Sequence, residues 1–172
     1  RNFNDSGADG YSLALKGLQA DNYEVVPLSL ATTPTVPEDC AVLIIAGPKK
    51  PLLENEAKPI EDYLRNKGKA IFLLDPNPPE DMVKLLATWG LVVEKGTIVD
   101  QQSFVHPDTA TPAAQRAQYQ YTQITKELDT TFFTGATAVR LDPELDKQLD
   151  KKKVVTVKAT PMATTTVNTV SY

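Results

Sequence analysis

Cysteine and histidine are almost missing from this chain: its 172 residues contain one of each, Cys40 and His106. A single cysteine excludes an internal disulfide. The pair also argues against a zinc site of the usual Cys/His type, which needs about four such ligands. No run of about 18 apolar residues occurs, so no segment reads as a membrane-spanning helix. No signal-peptide pattern is visible. The chain starts at Arg1 rather than Met and ends in a Thr-rich stretch, which reads as a piece of a longer protein. A strong charge of either sign is lacking too. Lys and Arg number 18 against 22 Asp and Glu, a net charge of -4. That balance is unlike the basic stripe of a general nucleic-acid binder. Repeats of fixed period are absent.

What is present suits one domain with a real core, since 41% of residues are hydrophobic. Tyr11, Ala14, Leu15 and Leu18 share one face of a predicted helix. Asp9 is placed to cap its start, and Asn22 to end it in the left-handed conformation. "YEVVPLSL" reads as a strand, with Pro27 at an edge or bulge.

"CAVLIIAG" is an unbroken apolar run, the pattern of a strand buried on both faces. After "GPKKP" comes a helical pattern in which Leu53, Ala57, Ile60 and Leu64 align. Gly68 falls at its stop, and Pro59 is tolerable if the helix begins just before it. "KAIFLLDP" is a second buried strand. "PPEDMVKLLATWG" is a third helix, with Val83, Leu86 and either Leu85 or Trp89 inward and Gly90 as its stop. "LVVEKGTIVD" is strand-like and broken by a Gly. Strands alternating with helices at these spacings predict crossover units and a mainly parallel sheet.

The character then changes. Residues 101 to 123 are polar and rich in Ala and Gln, and read as a long loop or a loosely held helix. "ITKEL" suits one helical turn and "TTFFTGATAVRL" a strand. The charged run from Asp142 to Lys153 reads as a solvated turn, and the tail as β-like. The fold class expected is therefore α/β, with a β-rich C-terminal part, in a single domain over 1–172.

The "GPKKP" turn invites three readings, because ligands gather at the carboxyl ends of strands in open α/β sheets. A phosphate cradle needs several converging backbone N–H groups, but here a single Gly precedes a Pro that has none. A nucleophile elbow needs Ser or Cys at the bend, and Gly47, Pro48, Lys49 and Lys50 supply neither. A plain strand-to-helix connection with two solvated lysines is the third.

Cys40 lies at the opposite end of its strand, and His106 in "VHPD" reads as an exposed turn. A Cys–His pair would require those two to meet. Asp75, before Pro76 and Asn77, and Asp100 both end strands. Each suits either a turn or a carboxylate directed at a metal or a sugar hydroxyl.

The connected pattern from Cys40 to Pro76 resembles the core of gliding-motility-type auxiliary components of ABC transport systems. In that family a strand with a Gly-Pro turn is followed by a helix holding a Tyr-Leu pair, here Tyr63 and Leu64. A strand ending in Asp-Pro, here Asp75-Pro76, comes next. "GYSLALKGLQADNYEVVPLSL" fits the upstream helix and strand, and "WGLVVEKGTIVD" the downstream segment. The likeness covers residues 10 to 100 well and the rest weakly. The family's Gly-Gly before the second core strand is replaced by Lys67-Gly68-Lys69.

The resemblance implies a class I glutamine-amidotransferase-like fold with flavodoxin-like layering, lacking the catalytic Cys-His-Glu set. It also implies a first strand before Arg1 and an extracytoplasmic domain tethered by membrane helices outside this chain. The expected role is a non-catalytic binding or scaffolding domain without metal or cofactor. Its partners would be ABC permease or ATPase subunits or other membrane proteins, not nucleic acid. The binding edge would comprise Gly47, Pro48, Lys49, Lys50, Asp75, Pro76 and Asn77. The alternative is a hydrolase or amidotransferase relative using Cys40, or a carbohydrate-active module using Asp75 and Asp100.

Overall fold

The computed structural model describes residues 3–7, 10–142 and 170–171. They fall into two compact units, Arg1–Leu73 and Leu74–Tyr172.

In the first unit, helix α1 spans Ser12–Ala20. Its end is built as the sequence predicts. Asn22 takes φ 63°, and the Tyr23 N–H reaches back to the Leu18 carbonyl at 2.9 Å. The position before Asn22 is Asp21, and no side chain caps the start at Tyr11; Asp9 lies outside the described residues. The expected strand at "YEVVPLSL" does not form: residues 23–29 join no ladder. Pro27, which has no N–H to give, sits in the middle of that stretch.

Strand β1 (Leu43–Ala46) pairs in parallel with β2 (Ala70–Leu73), with Leu43 opposite Ala70 and Ala46 opposite Leu73. Between them runs helix α2, Glu54–Arg65. Its N-cap is Leu53, whose N–H donates to the Glu56 carboxylate at 2.8 Å. Ile60, only 2% exposed, is the apolar anchor of the helix. Leu53 does not join that face and stays exposed. The helix starts five residues before Pro59, earlier than the sequence suggests, so the proline stands inside it.

The stop of α2 also differs in detail. Lys67, not Gly68, carries the positive φ of 67°. Gly68 is the next residue, and its N–H closes the turn on the Tyr63 carbonyl at 2.9 Å. A side chain there would strike Tyr63, since a Cβ would lie 2.5 Å from both its ring and its carbonyl oxygen.

The second unit opens with helix α3, Glu80–Ala87. Glu80 and Asp81 in its first turn and Lys84 in its last match the helix dipole. Its buried face is Met82, Leu85 and Leu86. Met82, fully buried, was not among the expected inward residues, whereas Val83 and Trp89 are only half-buried. Gly90 at φ 77° ends the segment. Among the described residues seven short strands follow: β3 (Leu91–Val93), β4 (Ile98–Val99), β5 (Phe104–Val105), β6 (Asp108–Ala114), β7 (Thr131–Phe132), β8 (Val139–Leu141) and β9 (Val170–Ser171).

Here the expectation of a mainly parallel sheet fails. The pairs β3–β8, β4–β9, β5–β6 and β6–β7 are all antiparallel, and among the described residues parallel pairing is confined to β1 and β2. The reason lies after β3. Among the described residues no helix long enough for a crossover follows it, and the strands there pair by reversal. The β-rich C-terminal character is as expected. The stretch 101–123, expected as loop or loose helix, instead holds the β5–β6 hairpin and a 3-10 turn, Arg116–Gln118. The charged run beyond Asp142 and most of the Thr-rich tail lie outside the described residues.

Candidate functional site

Chain direction alone puts Gly47 at the carboxyl end of β1. Its N–H donates to the Leu73 carbonyl at 2.8 Å, extending the parallel ladder by one bond. The residue is buried and takes φ 55°, which favours glycine. The bend then turns Pro48 half inward and leaves Lys49 and Lys50 exposed. Six residues beyond Lys50, the Glu56 carboxylate already occupies the mouth of α2, where it accepts the Leu53 N–H. A negative group there opposes a bound phosphate, so the turn does not work as an anion cradle at the helix start.

The second candidate turn belongs to the other unit. Asp75 and Pro76 are half-buried and Asn77 is exposed at φ 54°. The Asn77 Oδ1 accepts a bond from the Gly96 N–H at 3.4 Å, which ties this turn to the loop between β3 and β4. Gly47 to Lys50 are thus grouped at the end of β1, and Asp75 to Asn77 at the turn ahead of α3.

The catalytic alternatives gain no geometry. Cys40 is half-buried in a turn before β1; its N–H bonds the Pro37 carbonyl and its carbonyl accepts the Tyr63 hydroxyl. His106 belongs to the other unit. It is exposed at the β5–β6 turn, its ring stacked 6.1 Å from that of Phe104. Asp100 is 1% exposed, and its Oδ1 accepts the Gln102 and Ser103 N–H groups at 2.8 and 3.0 Å. That bonding is the work of a turn-forming aspartate. Among the described residues no group of three or more His, Cys, Asp or Glu is placed to hold a metal ion. None of the helices described is long and apolar enough to cross a membrane.

Sequence reasoning placed Tyr63 in the Tyr-Leu pair of the helix but gave it no role. Its hydroxyl lies 3.2 Å from the Cys40 carbonyl and 3.1 Å from the Lys69 carbonyl, and accepts the Lys69 N–H at 3.2 Å. One phenol therefore joins the turns that enter β1 and β2. Partial burial, and secondly the Cys40 neighbour, raise its pKa above the ordinary tyrosine value. The available signal was the spacing of Tyr63 and Gly68, five residues apart at a helix end.

Fold and site together define a mixed α/β protein whose two described turns, Gly47 to Lys50 and Asp75 to Asn77, present charge and amide groups and hold no Ser or Cys. The sequence model of the family described as an ABC-type uncharacterized transport system matches residues 8–171. The chain belongs to this family. A comparison with curated proteins gives no match. Among solved structures, the mmIFT52 N-terminal domain is similar, with a TM-score of 0.59 at 14% identity. That likeness covers 74% of this chain and 60% of that one, and it concerns the fold alone.

Proposed function

We propose that this chain is a non-catalytic binding domain of its transport system, and that it holds a protein partner through the turn Gly47–Lys50. The observation that carries this reading is the composition of that turn. A buried left-handed glycine brings the bend close to the sheet end, and two exposed lysines follow it with no Ser or Cys among the four residues. Asp75, Pro76 and Asn77 supply a second, polar turn for the same task. Partners of this reading are the permease or ATPase subunits of the system, or other membrane proteins. Membrane attachment through helices outside this chain and an extracytoplasmic position belong to the same proposal, as does the amidotransferase-like ancestry with a role in gliding motility.

The test is affinity capture from detergent-solubilised membranes of the source organism, with mass spectrometry as the readout. The bait is the wild-type chain beside the double variant Lys49→Glu, Lys50→Glu. Recovery of ABC permease or ATPase subunits by the wild type alone supports the reading. Equal recovery by both baits rejects the lysine turn as the binding surface, and recovery by neither rejects the partner class.

A further inference from the structure

In the second unit, residues 119–128 form a loop tied together by its own hydrogen bonds. The Thr125 hydroxyl donates to the Gln120 carbonyl and accepts the Thr122 N–H at 2.9 Å. The Thr122 hydroxyl accepts the Ile124 and Thr125 N–H groups, both at 3.2 Å. At one end of the loop the Tyr119 hydroxyl shares a hydrogen bond with that of Thr131. At the other end Arg116 reaches across: its Nη1 and Nη2 donate to the Leu128 and Lys126 carbonyls, each at 3.1 Å.

The loop inverts the usual placing of side chains. The residue it buries is Thr125, 4% exposed, while Tyr121 and Ile124 are 79% and 71% exposed. Single exposed apolar residues are ordinary on a protein surface. Two on one bonded loop are different, because the backbone that carries them needs little further ordering on binding. A tyrosine on such a support is the kind of anchor that interfaces use.

Arg116 indicates what the partner brings. Both of its bonds are to neutral carbonyls, and the residue is exposed. A guanidinium has five N–H donors, so three remain for a ligand. Held by two carbonyls, it is preorganised for a carboxylate. Residues 117–125 carry no charge, so covering them desolvates no ion. An anionic bilayer favours lysines and arginines around an apolar tip, and residues 117–125 supply neither. Lys126, next along the chain, is paired with Glu127 at 3.5 Å.

We propose that residues 119–128, with Arg116 at their foot, are a docking site for a protein segment in which an acidic residue lies beside large apolar ones. Tyr121 and Ile124 pack against the apolar residues, and the Arg116 guanidinium takes the carboxylate. The site belongs to the second unit and uses none of the residues of the Gly47–Lys50 turn, so either can fail without the other.

The test uses the full chain and two acetylated, amidated peptides, Ala-Leu-Phe-Glu-Leu-Ala and the same peptide with Gln in place of Glu, with NMR as the readout. The Glu peptide shifts the Arg116 side-chain N–H and the Ile124 methyl resonances with saturation. The Gln peptide binds about fivefold more weakly. The methyl resonances of Ile71, exposed on the first unit, stay in place. Tyr121→Ser with Ile124→Ser, both at exposed positions, abolishes binding and leaves the rest of the amide spectrum unchanged. The comparison of the two peptides needs no variant, so it decides even if the double variant does not fold.

Unmoved Arg116 and Ile124 signals with both peptides overturn the proposal. So do equal affinities for the two peptides, which would leave Arg116 a purely structural role. An Ile71 shift as large as that of Ile124 would mean indiscriminate apolar binding and overturns it too. Shifts produced by phosphatidylglycerol vesicles and by neither peptide would make the loop a lipid-binding element and overturn the protein partner.

Discussion

Two residues of the first unit hold its sheet in register, and each gives a sharp expectation. Gly47 combines φ 55° with burial and a bond to Leu73. Any side chain there meets the steric penalty of the left-handed region, roughly 1–2 kcal/mol. Gly47→Ala is therefore expected to lose about that much stability in urea unfolding, with the slope of the transition unchanged. Tyr63 is the other. Tyr63→Phe keeps the ring and removes the hydroxyl that links Cys40 and Lys69, at a cost of about 1 kcal/mol.

The pH dependence of Tyr63 has a definite sign. Its folded pKa is raised, so folding favours the neutral phenol. That contribution is complete below the unfolded value of about 10 and disappears as pH rises through the higher folded value. Wild type should lose stability over that alkaline window, and Tyr63→Phe should lose less. An equal loss in both proteins would remove Tyr63 from the account.

At the scale of the element, α2 and the β5–β6 hairpin show what the sequence reveals and what it conceals. The apolar spacing of α2 located the helix and its anchor Ile60. It did not locate the start, because Pro59 suggests a later one. Pro59 lacks the N–H that would bond Asn55 within the helix, so Pro59→Ala should raise the melting temperature. Ile60→Ala should do the reverse, by about 2–5 kcal/mol, since a 2% exposed side chain leaves a cavity.

The hairpin was illegible for a physical reason. Its residues, Asp108 to Ala114, include Ala, Asp and Pro, which are weak strand formers. They are strands because of long-range pairing, with Ala113 opposite Phe132 and Phe104 opposite Pro112. Asp108 fixes the turn. Its carboxylate accepts the Thr111 hydroxyl at 2.6 Å and the Ala110 N–H at 3.0 Å. Those bonds, the Thr111 bond foremost, lower its pKa below the ordinary carboxylate range. Its contribution is therefore present above the unfolded pKa and lost as pH falls through the folded one. Thr111→Val should raise the Asp108 pKa, read by carboxyl-carbon NMR titration. An unmoved titration would assign the lowering to the backbone.

At the scale of the whole molecule, the pattern of alternating strands and helices was readable to the end of β2, where a long helix separates two parallel strands. Beyond β3, "TTFFTGATAVRL" was still strand-like while residues 101 to 123 were not, and even where a strand is legible its direction of pairing is decided by what connects the strands, which apolar runs do not encode. Family membership needed the connected pattern of the chain, for no single motif in it is a catalytic signature.

Charge supplies the remaining expectation at this scale. With a net charge of -4, the molecule repels other acidic surfaces at long range, so an acidic partner is met at exposed lysines, which in the proposed reading are those of the β1 turn. Screening shortens such attraction to about 8–10 Å at 0.1–0.15 M salt. If the Lys49–Lys50 turn carries partner binding, capture should weaken steadily as salt is raised through that range, mostly through slower association. The Lys49→Glu, Lys50→Glu variant should show weak capture with little further salt dependence and an unchanged unfolding transition. Capture by the wild type that is indifferent to salt would assign binding to apolar surface instead, and would direct attention to the exposed Ile71 and Leu73 of β2.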